Sequence, residues 1–234
     1  MKKIIIIALV ALAALVAALV VYAFASTWGK TDLDIKIHIN EKLVQDSGYG
    51  ESPTFAIWLE NTATKAIRAV YVTRRAAEGD WEGKAEVPVA LPKWFEIRNR
   101  QSSSSTAQDD IDAYSGSTPK PGYFTAKASL EPGSDWICWI EVNLAADYND
   151  FYKASNNEDS ETDKFFSGQP AILYRAEIKA MEGQKVVPTV VGMTVVGVAD
   201  GNVIQPLLGI TTATKIFDEI TISVVKPKPR IIRK

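Results

Sequence analysis

The stretch Leu33-Asp34-Ile35-Lys36-Ile37-His38-Ile39-Asn40 alternates apolar and polar positions without a fault. A period of two is that of a strand with one buried and one wet face, and it puts Leu33, Ile35, Ile37 and Ile39 in a core and His38 on the wet side. Strand-like runs rich in Val, Ile, Thr, Tyr and Trp follow at Phe55–Leu59, Ile67–Thr73, Tyr123–Leu130, Trp136–Leu144, Ala171–Ala180, Thr189–Val198 and Glu219–Val225. They are punctuated by turn pairs such as Pro132-Gly133, Glu182-Gly183 and Asp200-Gly201. The pattern predicts an all-β fold, an immunoglobulin-like antiparallel β-sandwich over residues 26–225. The one body helix it predicts is Leu91–Arg100, with Pro92 in its first turn and Trp94, Phe95 and Ile97 turned to the sheet. Gln101–Asp110, with four consecutive serines, and the acid-rich Asp147–Gly168 are expected loops.

The first 25 residues are of another kind. Met1-Lys2-Lys3 precedes an uncharged apolar run from Ile4 to Tyr22, then Ala23-Phe24-Ala25. Basic, apolar and small-residue regions in that order make an export signal, and the Ala-x-Ala favours cleavage after Ala25. Uncleaved, the run would span roughly 28 Å as a helix, close to a bilayer core, and would serve as a membrane anchor. No Cys follows it, which excludes a lipoprotein. Either fate places the body outside the cytoplasm, in the periplasm or at the cell surface, with membrane contact only through the N-terminal segment.

Charge and composition narrow the function classes. The 234 residues carry 26 basic and 28 acidic side chains, and residues 226–234 form a basic tail with five basic groups and no acid. The remaining body is acidic, which argues against nucleic-acid binding through its surface field. One Cys and one His exclude a disulfide within the chain, a thiolate-rich metal site and any site needing two imidazoles. Cys138 lies in Trp136-Ile-Cys-Trp-Ile140, where alternation sets it beside Trp136 and Ile140 as an inert core thiol rather than a nucleophile paired with His38.

Two segments retain candidate chemistry. Asp147, Asn149 and Asp150 open the acidic loop with hard oxygen ligands of the kind calcium takes, although the EF-hand order is missing. Asp112-Ala-Tyr-Ser115-Gly116-Ser117-Thr118 reads as a rigid turn. It also resembles the Asp-x-x-Ser-Gly-Ala-Thr motif on which flavin transferases attach flavin mononucleotide, which makes Thr118 a candidate attachment site, with Ser117 where the motif has alanine. If the strands at Tyr123 and Trp136 form a hairpin through Pro132-Gly133, the segments 112–122 and 147–168 share one end of the sandwich. That would gather Tyr114, Tyr148, Phe151 and Tyr152 with Asp112, Asp147 and Asp150.

Together with Ser115-Gly116-Ser117-Thr118, the segments Trp139-Ile-Glu141-Val-Asn143, Asp147-Tyr-Asn149-Asp150 and Gly168-Gln169-Pro170-Ala-Ile-Leu-Tyr174 make the chain resemble a bacterial family. These are predicted periplasmic proteins of unknown function with Ser-Gly-Ala-Thr and Gly-Gln-Pro-Ser-x-x-Tyr segments, some of them labelled flagellar hook-cap-like. The resemblance implies an immunoglobulin-like sandwich, export, and in some genomes proximity to flavin transferases and membrane redox proteins. It carries no catalytic residues. The leading expectation is a non-enzymatic sandwich of the cell envelope that binds a protein partner or self-assembles. An accessory of extracytoplasmic flavin-linked electron transfer or metal uptake is the alternative, followed by a carboxylate-dependent hydrolase.

Overall fold

The computed structural model describes residues 2–25, 27–74, 76, 80–81, 84–85, 90–103, 115–154, 168–195 and 200–228. Helix α1 (Lys2–Ala25) leads through a tight turn at residues 27–30 into strand β1 (Thr31–Ile39). There follow α2 (Glu41–Asp46), β2 (Thr54–Asn61), β3 (Ile67–Thr73), the short ribbon β4 (Asp80–Trp81) and β5 (Lys84–Ala85), and α3 (Pro92–Ser103). Next come β6 (Ser115–Gly116), β7 (Gly122–Leu130), β8 (Asp135–Asn143) and β9 (Ala171–Lys179). The chain then runs through β10 (Lys185–Val186), β11 (Thr189–Thr194), β12 (Val203–Ile204), a 3-10 turn at Ala213–Lys215, and β13 (Phe217–Val225).

The strands form an all-β sandwich. One sheet has the order β10-β13-β1-β7 and the other β12-β11-β9-β8-β2-β3-β6, antiparallel throughout except for the two-residue β6, which runs parallel to β3. Every apolar position of the alternating β1 stretch is fully buried, so the period-2 reading of that strand holds residue by residue. Those side chains meet Phe55, Ile57 and Leu59 of β2 and Cys138, Ile140 and Val142 of β8 from the facing sheet. The reverse face of β2 is buried as well. Ala56 and Trp58 turn away from the main core, and with Val72 and Leu173 they are covered by Leu91, just ahead of α3, and Trp94 within it. A strand sealed on both sides loses its alternation, and β2 reads as a run of five buried residues.

Three expectations need correction. Strands β7 and β8 do not pair: β7 lies against β1, and β8 sits between β2 and β9, so Pro132-Gly133 carries the chain from one sheet to the other. The helix expected at Leu91–Arg100 continues to Ser103, taking in the start of the serine loop, and Phe95 is only half-buried while Leu91 and Trp94 carry its packing. A second body helix, α2, is present because the Asn40 side chain accepts the Leu43 amide at 3.1 Å and caps its first turn.

The sandwich has two distinct ends. At the base, Thr31 pairs with Leu130, the Thr62 amide bonds Asp135, Gly133 bonds Ala180, and Gly183 bonds Val224. The turns 62–66, 131–134 and 181–184, the exit of β13 and the end of α1 are therefore neighbours. At the opposite end lie α2, the 116–121 turn, the segments 144–154 and 168–170, and the 205–216 connection.

Candidate interaction surface

The loop end is held by a buried polar knot. Gln169 is 1% exposed. Its side-chain oxygen accepts the Thr211 amide at 2.8 Å and the Thr212 amide at 3.3 Å, while its amide nitrogen donates to Asp147 Oδ2 at 2.8 Å and to the Thr212 hydroxyl. The Thr212 hydroxyl also donates to the Asp147 carboxylate at 2.8 Å. Along the backbone, the Gln169 amide bonds the Asp147 carbonyl at 3.0 Å, and Asn143 Nδ2 donates to the Gln169 carbonyl at 2.9 Å. Burial raises the Asp147 pKa, and the Thr212 hydrogen bond partly offsets it. Gly168 has φ +65, and a Cβ there would lie 2.6 Å from the Asp147 backbone nitrogen, so no other residue fits this crossing. The Gly168-Gln169-Pro170 segment is thus a knot tying residues 147 and 211–212 to the start of β9.

A second clasp lies just outside it. Asn149 Oδ1 accepts the amides of Phe151 and Tyr152 at 2.9 and 2.7 Å, and its Nδ2 donates to the Gly209 carbonyl at 2.8 Å and to Thr211 Oγ1 at 2.9 Å. The Tyr152 hydroxyl donates to the Leu208 carbonyl at 2.9 Å. The Phe151 ring lies over Gly209, where a Cβ would come within 2.4 Å of it. These two loops present two large apolar side chains outward, Phe151 at 58% and Leu208 at 62% exposed, beside the exposed Asp150 and Lys153.

Of the candidate calcium ligands, Asp147 and Asn149 spend their oxygens on these internal bonds, and Asp150 is exposed. Among the described residues no group of three or more His, Cys, Asp or Glu side chains converges. Thr118 is half-exposed, one residue past the Ser117 carbonyl that accepts the Tyr71 hydroxyl at 2.9 Å. Gly116 is needed where it stands because a Cβ would lie 2.7 Å from the Tyr71 ring. Burial pushes the Tyr71 hydroxyl up to about 12, so it stays a donor. Asp112, Tyr114 and residues 155–167 lie outside the described residues.

The shared end expected for the two segments is present, by a different route. Gly122 abuts Glu41 of α2, and the Gly48 amide that follows α2 bonds the Ala146 carbonyl at 3.1 Å. Helix α2 therefore bridges the start of β7 and the segment leaving β8. Those strands share an end because the chain reverses at the base while changing sheets.

Three further side chains lie outside these loops. Cys138 is fully buried in the main core, and burial raises its thiol pKa far above the ordinary value. His38, on the outer face of the other sheet, bonds Asp218 at 2.6 Å and packs against Tyr123 at 4.4 Å. A register shift between His38 and Ile39 leaves Asp218 as the extra residue of a β-bulge, which aims it at the imidazole. The feature the sequence reading missed is Glu141, on the α3 side of β8 and 0% exposed. It accepts the Lys93 and Trp94 amides at 3.0 and 2.7 Å and the Thr194 hydroxyl at 2.7 Å, so it caps α3 from a neighbouring strand. Pro92 at the first helical position was the available signal that the next two amides need an acceptor. Comparison with protein-family models, curated proteins and solved structures gives no match to this chain.

Proposed function

We propose that the protein is an exported, non-enzymatic sandwich of the cell envelope that engages a protein partner, or further copies of itself, through its loop end. The observation that carries this reading is the buried Asp147–Gln169–Thr212 knot. A solvated connection needs no buried amide, whereas a loop pair that must present Phe151 and Leu208 in one geometry does. The opposite end is taken up by the N-terminal apolar helix, whose 21-residue stretch Ile5–Ala25 has mean hydropathy 3.1. That arrangement supports a body carried outside the cytoplasm with its loop end turned outward.

Site-directed photocrosslinking in cells tests it. A crosslinking residue at position 208 should give a discrete adduct with one protein or with a second copy of the chain, and the same residue at exposed position 36 on the sheet face should not. Equal labelling at both positions, or a body shielded from protease added outside the cytoplasmic membrane, would remove the reading.

A further inference from the structure

We infer that α1 is retained as a membrane span and that the base of the sandwich rests on anionic phospholipid headgroups of the same bilayer. This inference builds on the export reading. The uncharged run Ile4–Ala25 exceeds the apolar core of about 7–15 residues that an export signal uses. Only five residues separate Ala25 from Thr31, a reach of at most roughly 18 Å when extended. Residues 27–30 form a turn, for the Thr27 and Trp28 amides bond the Phe24 carbonyl at 3.2 and 3.1 Å and Lys30 bonds Thr27 at 3.3 Å. The end of the sandwich where β1 begins must then lie at the headgroup layer.

The chemistry of that end fits the layer. A cleft of about 1000 Å³ opens between the end of α1 and the base turns, with Phe24, Trp28 and Met181 on its walls beside Lys30, Lys226 and Lys228. Among the described residues Glu182 is the one acid lining it. Trp28 is 86% exposed and Met181 55%. An indole left in water at the end of a span is at home in the interfacial belt, where Trp and Tyr gather. The lysines that flank it face the phosphates, and Lys226 and Lys228 among them open the basic segment of the sequence.

Cys138 is buried, so a single exposed cysteine introduced by Met181→Cys or Leu208→Cys takes a fluorophore selectively. The full chain, reconstituted into vesicles that contain a headgroup-quencher lipid, should show quenching at position 181 in phosphatidylcholine–phosphatidylglycerol membranes. In phosphatidylcholine alone or at high salt the quenching should fall, and position 208 should stay unquenched throughout. Reversing Lys30, Lys226 and Lys228 to Glu should shift the docking equilibrium by at least about five-fold per residue. Equal quenching at 181 in neutral and anionic membranes, or no effect of charge reversal, overturns the inference. So does a membrane-derived chain whose intact mass begins after Ala25, a result that leaves the export reading standing. A body accessible only from the cytoplasm overturns both.

Discussion

A glutamine side chain offers one acceptor and a two-hydrogen donor, and Gln169 uses both ends in a place water does not reach. Its oxygen serves two successive backbone amides and its nitrogen bridges an acid and a hydroxyl, so three segments distant in sequence converge on one residue. Replacing it with Ala leaves those two amides without their acceptor and Asp147 with the Thr212 hydroxyl alone. At about 1–3 kcal/mol for each buried group so stranded, the expected loss is on the order of 3 kcal/mol, read as a lower urea midpoint at unchanged slope. A loss within the error of a surface mutation would show that the knot is not what holds the loops. None of this was legible locally, because glutamine is ordinarily a surface residue and its partners lie 22 and 42 positions or more away. Gly168 was legible as the end of a loop, but its close approach to Asp147 depends on which loops meet there.

At the scale of elements, the strands themselves were written in the pattern, and what escaped was their pairing. A Pro-Gly between two strands reads as a hairpin. Whether the strands pair or part depends on which sheet edges are free, and here β1 takes the edge of β7 while β2 and β9 flank β8. Helix α3 was found but its cap was not, since Glu141 is 47 residues from Trp94. Burial pushes the Glu141 carboxyl from 4.5 up to about 7, against the pull of its three donors and Lys93. Between those values the folded protein keeps a proton that the unfolded chain has released, so this group's contribution to stability falls as pH rises from 4.5 to 7 and is flat above. Unfolding free energies measured at about pH 5 and pH 8 should show a drop on the order of 3 kcal/mol from this group, which Glu141→Gln removes. An identical difference in wild type and variant would place the titration elsewhere.

Across the whole molecule, the end of the apolar helix, Lys226, Lys228 and the base turns occupy one end and the knotted loops the other. The order of strands in the smaller sheet has a consequence for tension. Strand β1, to which α1 is joined, is flanked by both β13 and β7 from Asp32 to Ile39. Its ladder bonds run perpendicular to the strands. A pull on the helix opposed by a grip on the loop end therefore loads both ladders at once, in shear, and no single bond fails first. Strands β1 and β13 also meet at the base with their ends side by side, so a pull between them would open the ladder one bond at a time. Single-molecule stretching between residues 28 and 208 should then require a distinctly higher rupture force than stretching between residues 28 and 226. A fold built this way carries force from α1 to the loop end as a stiff link, because the strand that α1 leads into lies between two others in its sheet.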